Sequence, residues 1–77
     1  MTYLIIYDFD EFAIYEAADI RECIIKFANH VGDNSTLFNK ALIGCDTTAA
    51  MVDMFNHFSQ STINTIYTIN DIVYNKE

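Results

Sequence analysis

Asp8 and Asp10 stand two residues apart at the end of an apolar run, in the stretch Leu4-Ile5-Ile6-Tyr7-Asp8-Phe9-Asp10-Glu11-Phe12. Two carboxylates at that spacing can do two kinds of chemistry. One can attack an electrophilic centre while the other protonates the leaving group. Together they can also offer oxygen ligands to a hard divalent cation. Glu11 follows at once, and a third carboxylate so close raises the pKa of its neighbours and repels a phosphate dianion. A full calcium loop runs about twelve residues with a central glycine and a terminal Glu. The segment from Asp8 to Asp19 has neither. The remaining reading is structural: turn-prone acids between two strands.

The same stretch resembles the first motif of the haloacid-dehalogenase-type phosphatases, in which an apolar strand delivers an Asp-x-Asp pair to the active site. The resemblance spans Leu4 to Phe12. It implies Asp8 as nucleophile and Asp10 as acid. That family usually places Thr, Val or Gly after the second Asp, where this chain has Glu11. It also needs a Ser or Thr, a Lys and a further acidic pair on a parallel, Rossmann-like core, which a chain of 77 residues is too short to build. The sequence therefore assigns no catalytic residue, no cofactor and no metal ligand, and the expectation is a protein that is not an enzyme.

Other chemistry-bearing residues point the same way. His30 and His57 form no His-x-x-x-His pair, and Cys23 and Cys45 form no Cys-x-x-Cys pair, so zinc spacing is absent. A histidine near a helix C-terminus is favoured by the helix dipole alone. Cys23 falls on an apolar stripe, where a thiol stays protonated and inert. Ser35, Ser59 and Ser61 belong to caps and loops, and two glycines cannot build a phosphate-binding loop. Two unpaired cysteines and no apolar leader suggest reduced thiols in a cytosolic protein. No apolar run reaches the roughly 18 residues of a membrane span.

The elements around these residues follow from periodicity. Thr2 to Phe9 reads as a strand, and Phe12 to Ala17 as a second strand in an antiparallel hairpin, although the chain from Glu11 onward also fits a helix. Asp19 with Glu22 has the spacing of a capping box, and Ile20, Cys23, Ile24, Phe27 and Val31 make one helical face that Gly32 closes. Asn34 or Ser35 starts a short second helix to about Ile43, ended by Gly44. Asp46 or Thr47 starts a third with the stripe Met51, Met54, Phe55 and Phe58, read as core or as a partner groove. Ser59 to Thr62 breaks the pattern, and Ile63 to Ile69 is a last strand. Ile14-Tyr15 before Asp19-Ile20 is echoed by Ile66-Tyr67 before Asp71-Ile72. By that echo Asp71 would open a frayed terminal turn from Ile72 to Lys76. The expected fold is one α+β domain over residues 1–77, β-β-α-α-α-β, with a three-stranded antiparallel sheet in order 2-1-3 and the helices on one face.

Strand alternation then divides the sheet residues. Leu4, Ile6, Phe12, Ile14 and Ile66 are expected to face the helices. Tyr3, Ile5, Tyr7, Tyr15 and Tyr67, with Ile63 and Ile69, are expected on the opposite side. The alternative is a register that buries the isoleucines and leaves fewer aromatics outside. An outer face with these side chains is too apolar to stay wet, so a second copy or a partner protein should cover it.

Eleven acidic residues against four basic ones leave a formal charge of −7. Such a chain has no cations to displace phosphate counterions, which argues against direct nucleic-acid or anionic membrane binding. Asp8, Asp10, Glu11, Glu16, Asp19 and Glu22 gather within fifteen residues and are expected to form one acidic edge. Carboxylates along an edge imitate a run of phosphates and steer toward Arg and Lys clusters. Turns and first helical turns are also where acids belong on structural grounds alone.

In size, acidity and lack of catalytic motifs the chain resembles small phage-encoded inhibitors of host enzymes, such as anti-CRISPR proteins and other DNA mimics. That resemblance implies an inhibitor or modulator in the host cytoplasm that occludes the basic, nucleic-acid-binding surface of a protein partner. The alternative is a self-associating structural or accessory protein. Both readings expect a homodimer.

Overall fold

Tyr, Ile and Thr dominate residues 2–7, and β-branched and aromatic side chains of this kind suit a pleated surface packed on one side. In the computed structural model, which describes residues 1–75, they form β1 (Thr2–Tyr7). The chain turns through Asp8, Phe9 and Asp10 and returns as β2 (Glu11–Glu16), antiparallel to β1 from Thr2↔Glu16 to Tyr7↔Glu11. Asp19 then caps α1 (Ile20–Val31), its carboxylate accepting the Glu22 N–H at 2.9 Å. Gly32 ends this helix at φ 80°, a left-handed conformation open to glycine, and donates its N–H to the carbonyls of Ala28 and Asn29. Ser35 caps α2 (Thr36–Ile43), and Thr47 caps α3 (Thr48–Phe58).

From α3 the chain re-enters the sheet as β3 (Ile63–Thr68) beside β1. A fourth strand, β4 (Ile72–Asn75), then pairs antiparallel with β3. The sheet order is β2-β1-β3-β4, so the expected three strands are four. The expected terminal turn is a strand as far as Asn75; Lys76 lies outside the described residues. The echo between Asp19 and Asp71 misled here. Asp19 is followed by twelve helical residues, whereas the Asp71 carbonyl accepts the Thr68 N–H at 2.8 Å and closes a tight return. The Ile-Val-Tyr run after it pairs with an open neighbour strand, which four residues can do more readily than nucleate a helix.

α1 and α3 lie over one face of the sheet, and α2 packs against α3. Between them lies a core of Ile5, Ile63 and Ile66 from the strands and Ile24, Phe27, Phe38, Leu42, Val52 and Phe55 from the helices, all buried. The expected division of strand faces is inverted for β1 and β2. Tyr3 and Ile5 are buried under the helices, and Tyr7 and Tyr15 are half-buried with their rings against Phe27 at centroid distances of 4.7 and 6.3 Å. Phe12 and Ile14 lie on the other side, 65% and 61% exposed. The cause is visible in β2. Its helix-facing positions are Ala13 and Tyr15, continued by the buried Ala17, and two small alanines let α1 approach the sheet closely. A side-chain period of two moves the whole set together, so one wrong parity inverts every residue of the strand. Both Ile63 and Ile66 are buried despite their odd separation because β3 carries a bulge opposite Ile6 and Tyr7. Tyr67 is on the outer face, as expected.

Candidate protein-binding surface

The uncovered face of the sheet is an apolar feature left outside the core. Alternate residues of each strand build it: Leu4 and Ile6 from β1, Phe12 and Ile14 from β2, Tyr67 from β3 and Ile72 from β4. Leu4 stands directly across from Ile14 on one side and Tyr67 on the other, and Ile6 faces Phe12. Ile69, 87% exposed, overhangs from the turn after β3. A shallow cleft of about 280 Å³ runs among Leu4, Ile14, Tyr67 and Ile69. Isolated apolar residues are ordinary at a protein surface, but a contiguous sheet face of this kind marks a contact region.

Carboxylates lie near both ends of β2. Asp8, Asp10 and Glu11 sit at the hairpin tip, whereas Glu16, Asp19 and Glu22 sit at the opposite end of β2 and the start of α1. The six residues of β2 put about 17 Å between the two groups. They are therefore two acidic ends and not the single acidic edge expected. Several already have partners. The Asp8 carboxylate accepts the Thr62 N–H, and Asp19 caps α1. Glu16 accepts the N-terminal ammonium at 2.7 Å and the Thr2 hydroxyl at 2.5 Å, and these two hydrogen bonds hold its pKa below the usual carboxylate range. Glu22 pairs with Lys26 at 3.5 Å. Among the described residues, Asp10 and Glu11 make no side-chain hydrogen bond or ion pair. Phe9, 86% exposed, precedes them at the tip.

The residues named for the dimer or partner face separate in the same way. Tyr3, Ile5, Tyr7 and Tyr15 belong to the helix side, and only Tyr67 is available on the open face. Leu4, Ile6, Phe12, Ile14 and Ile72 take their place. The alanines at 13 and 17 were the available signal, since neither fills a wet aromatic face and both suit close helix packing.

The cysteines and histidines are tied into packing elsewhere. Cys23 is fully buried, and burial pushes its thiol up from the ordinary 9.0 to about 12. Cys45 is also buried, with its thiol toward the Ala41 and Ala50 carbonyls. His30 stacks edge-on against Tyr15, and His57 against Phe58. Among the described residues no three His, Cys, Asp or Glu side chains gather as a metal site, and no helix is long and apolar enough to cross a membrane. The stripe of α3 divides: Met51 and Phe55 are core, whereas Met54 and Phe58 line an open cleft of about 770 Å³ beside α2. Comparison with protein-family models, curated proteins and solved structures finds no match.

Proposed function

We propose that the protein is an acidic binding module that inhibits or modulates a partner protein by occluding a basic, nucleic-acid-binding surface. The observation that carries this reading is the open apolar sheet face held between two acidic ends. An apolar centre supplies contact area, and carboxylates on either side steer the module toward Lys and Arg and away from acidic proteins. On this reading the chain does no chemistry, needs no cofactor and acts as the phage-encoded inhibitors do that it resembles in size and acidity.

The exposed apolar cleft favours a second reading, in which two copies close their sheet faces on each other as a homodimer. Salt separates the two. A complex with a basic partner weakens as salt rises, because opposite charges are screened. A homodimer of chains carrying −7 each strengthens, because like charges are screened. The test is sedimentation of the protein alone, and of the protein mixed with a basic nucleic-acid-binding protein and DNA, at low and high salt. The proposal expects DNA to be displaced at low salt, and Ile69→Lys with Leu4→Lys to abolish displacement. A protein that never competes with DNA and dimerises more strongly at high salt would establish the second reading.

A further inference from the structure

Strand β2 is an edge of the sheet, and its free side is open at Phe12 and Ile14. Ala17 and Met1 exchange both main-chain hydrogen bonds at 2.9 Å, which fixes the alternation along the β1–β2 ladder. Tyr15 and Ala13 therefore bond to β1, whereas the N–H and C=O groups of Phe12 and Ile14 point away from it, along the edge. The Glu16 carbonyl, next in that row, accepts from the Lys26 ammonium at 2.6 Å. Natural sheets blunt such edges with proline, lysine, bulges or very short strands. The opposite edge, β4, is four residues long and paired through a bulge. β2 is six residues long, pairs with β1 without a bulge and has no proline or lysine. It offers Phe12 and Ile14 instead.

Charge decides what fits. Asp10 and Glu11, with no ion pair among the described residues, mark one end of the strand; Glu16 at the other is already paired with the N-terminal ammonium at 2.7 Å. Two copies of β2 would each bring a chain of formal charge −7, and their mutual repulsion opposes pairing. A strand with an apolar centre and Lys or Arg at the end that meets Asp10 and Glu11 is attracted instead.

We infer that β2 is a docking edge for an extended segment of a partner protein, apolar in its centre and carrying Lys or Arg at the end that meets Asp10 and Glu11, which joins the sheet as a fifth strand. Main-chain bonds to Phe12 and Ile14 supply register, and the cationic end supplies selection. This rests on the protein-binding reading above and names the form of the partner.

The probe is a blocked peptide, Lys-Val-Thr-Val-Thr-Val-Lys, titrated into the isotope-labelled protein with amide shifts and hydrogen exchange as readout. The expected result is protection of the Phe12, Ile14 and Glu16 amides. Exchanging both lysines for glutamate, or N-methylating the peptide at alternate residues, should weaken binding by about tenfold or more. Ile14→Pro, which removes an outward N–H, should do the same, and Leu37→Lys, exposed on α2 away from the open face, should not. The methylated peptide keeps the test valid if Ile14→Pro fails to fold. Binding that ignores methylation and shifts Leu4 and Tyr67 without protecting the edge would overturn strand addition while leaving the docking face standing. Self-association through β2 that excludes the peptide would name a second copy as the occupant and overturn it too. If neither the peptide nor any basic protein binds, both readings fall together.

Discussion

Asp8 and Thr62 are joined by a reciprocal pair of hydrogen bonds: the Asp8 N–H donates to the Thr62 carbonyl at 2.9 Å, and the Asp8 carboxylate accepts the Thr62 N–H at 2.8 Å. This clamp ties the hairpin tip to the entry of β3, fifty-four residues further along the chain. The carboxylate that the sequence offers as a nucleophile thus serves a main-chain N–H. Asp8→Ala removes the acceptor and also places a residue less tolerant of the left-handed region at φ 48°. A loss of about 1–2 kcal/mol is expected in urea denaturation. Asp8→Asn keeps an acceptor and the same backbone tolerance, so it should cost less than half as much.

Phe9 follows in the left-handed region at φ 71°, where a large side chain is strained. Its ring is almost wholly exposed, so removing it forfeits little packing. Its N–H donates to the Asn64 side chain at 2.8 Å, a bond that any residue at this position can keep. Phe9→Gly should therefore raise stability by about 1 kcal/mol, read as an upward shift of the urea midpoint with unchanged slope. A drop in stability would show that the Phe9 ring packs against the hairpin after all.

How far the sequence spoke depended on whether a signal was local. Helix boundaries were legible because Asp19, Ser35, Thr47 and Gly32 act on their own neighbours within one turn. Strand parity was not, because Leu4-Ile5-Ile6 is apolar at every position and carries no alternation. Which side is buried was decided by Ala13 in β2 and Ala17 just after it, residues whose small size matters only once α1 lies over them. β4 was hidden by its length, since four residues have no period to read and their pairing with β3 is a tertiary event. The site inherits this: its apolar character followed from composition, and its membership required the register.

Tyr15 presents a hydroxyl shielded from solvent with no hydrogen-bond partner among the described residues. The ring packs edge-on against Phe27 and His30, and burial pushes its pKa up to about 12. A shielded donor without an acceptor costs about 1–3 kcal/mol relative to its hydrated state. Tyr15→Phe keeps both ring contacts and removes that cost. Stability should rise by about 1 kcal/mol in thermal unfolding. An unchanged or lower midpoint would mean that water reaches the hydroxyl.

Cys23 contributes to the loss of stability expected at alkaline pH. Its thiol has no exposure, and burial raises its pKa from 9.0 to about 12. The folded state therefore holds this proton where the unfolded chain releases it. The contribution is fully present below pH 9 and is lost as pH climbs from about 9 toward 12. Tyr15, raised in the same direction, adds to the fall above its ordinary 10.0. Urea midpoints measured from pH 7 to 11 should be level on the neutral side and decline above 9. Cys23→Ala should lower the neutral plateau by about 1 kcal/mol for the lost packing, yet flatten the decline. Aromatic disulfide reagents at pH 8 should label Cys23 only as fast as the chain opens, so labelling should accelerate in step with urea. Rapid labelling without urea would show that α1 lifts from the sheet far more readily than its packing allows.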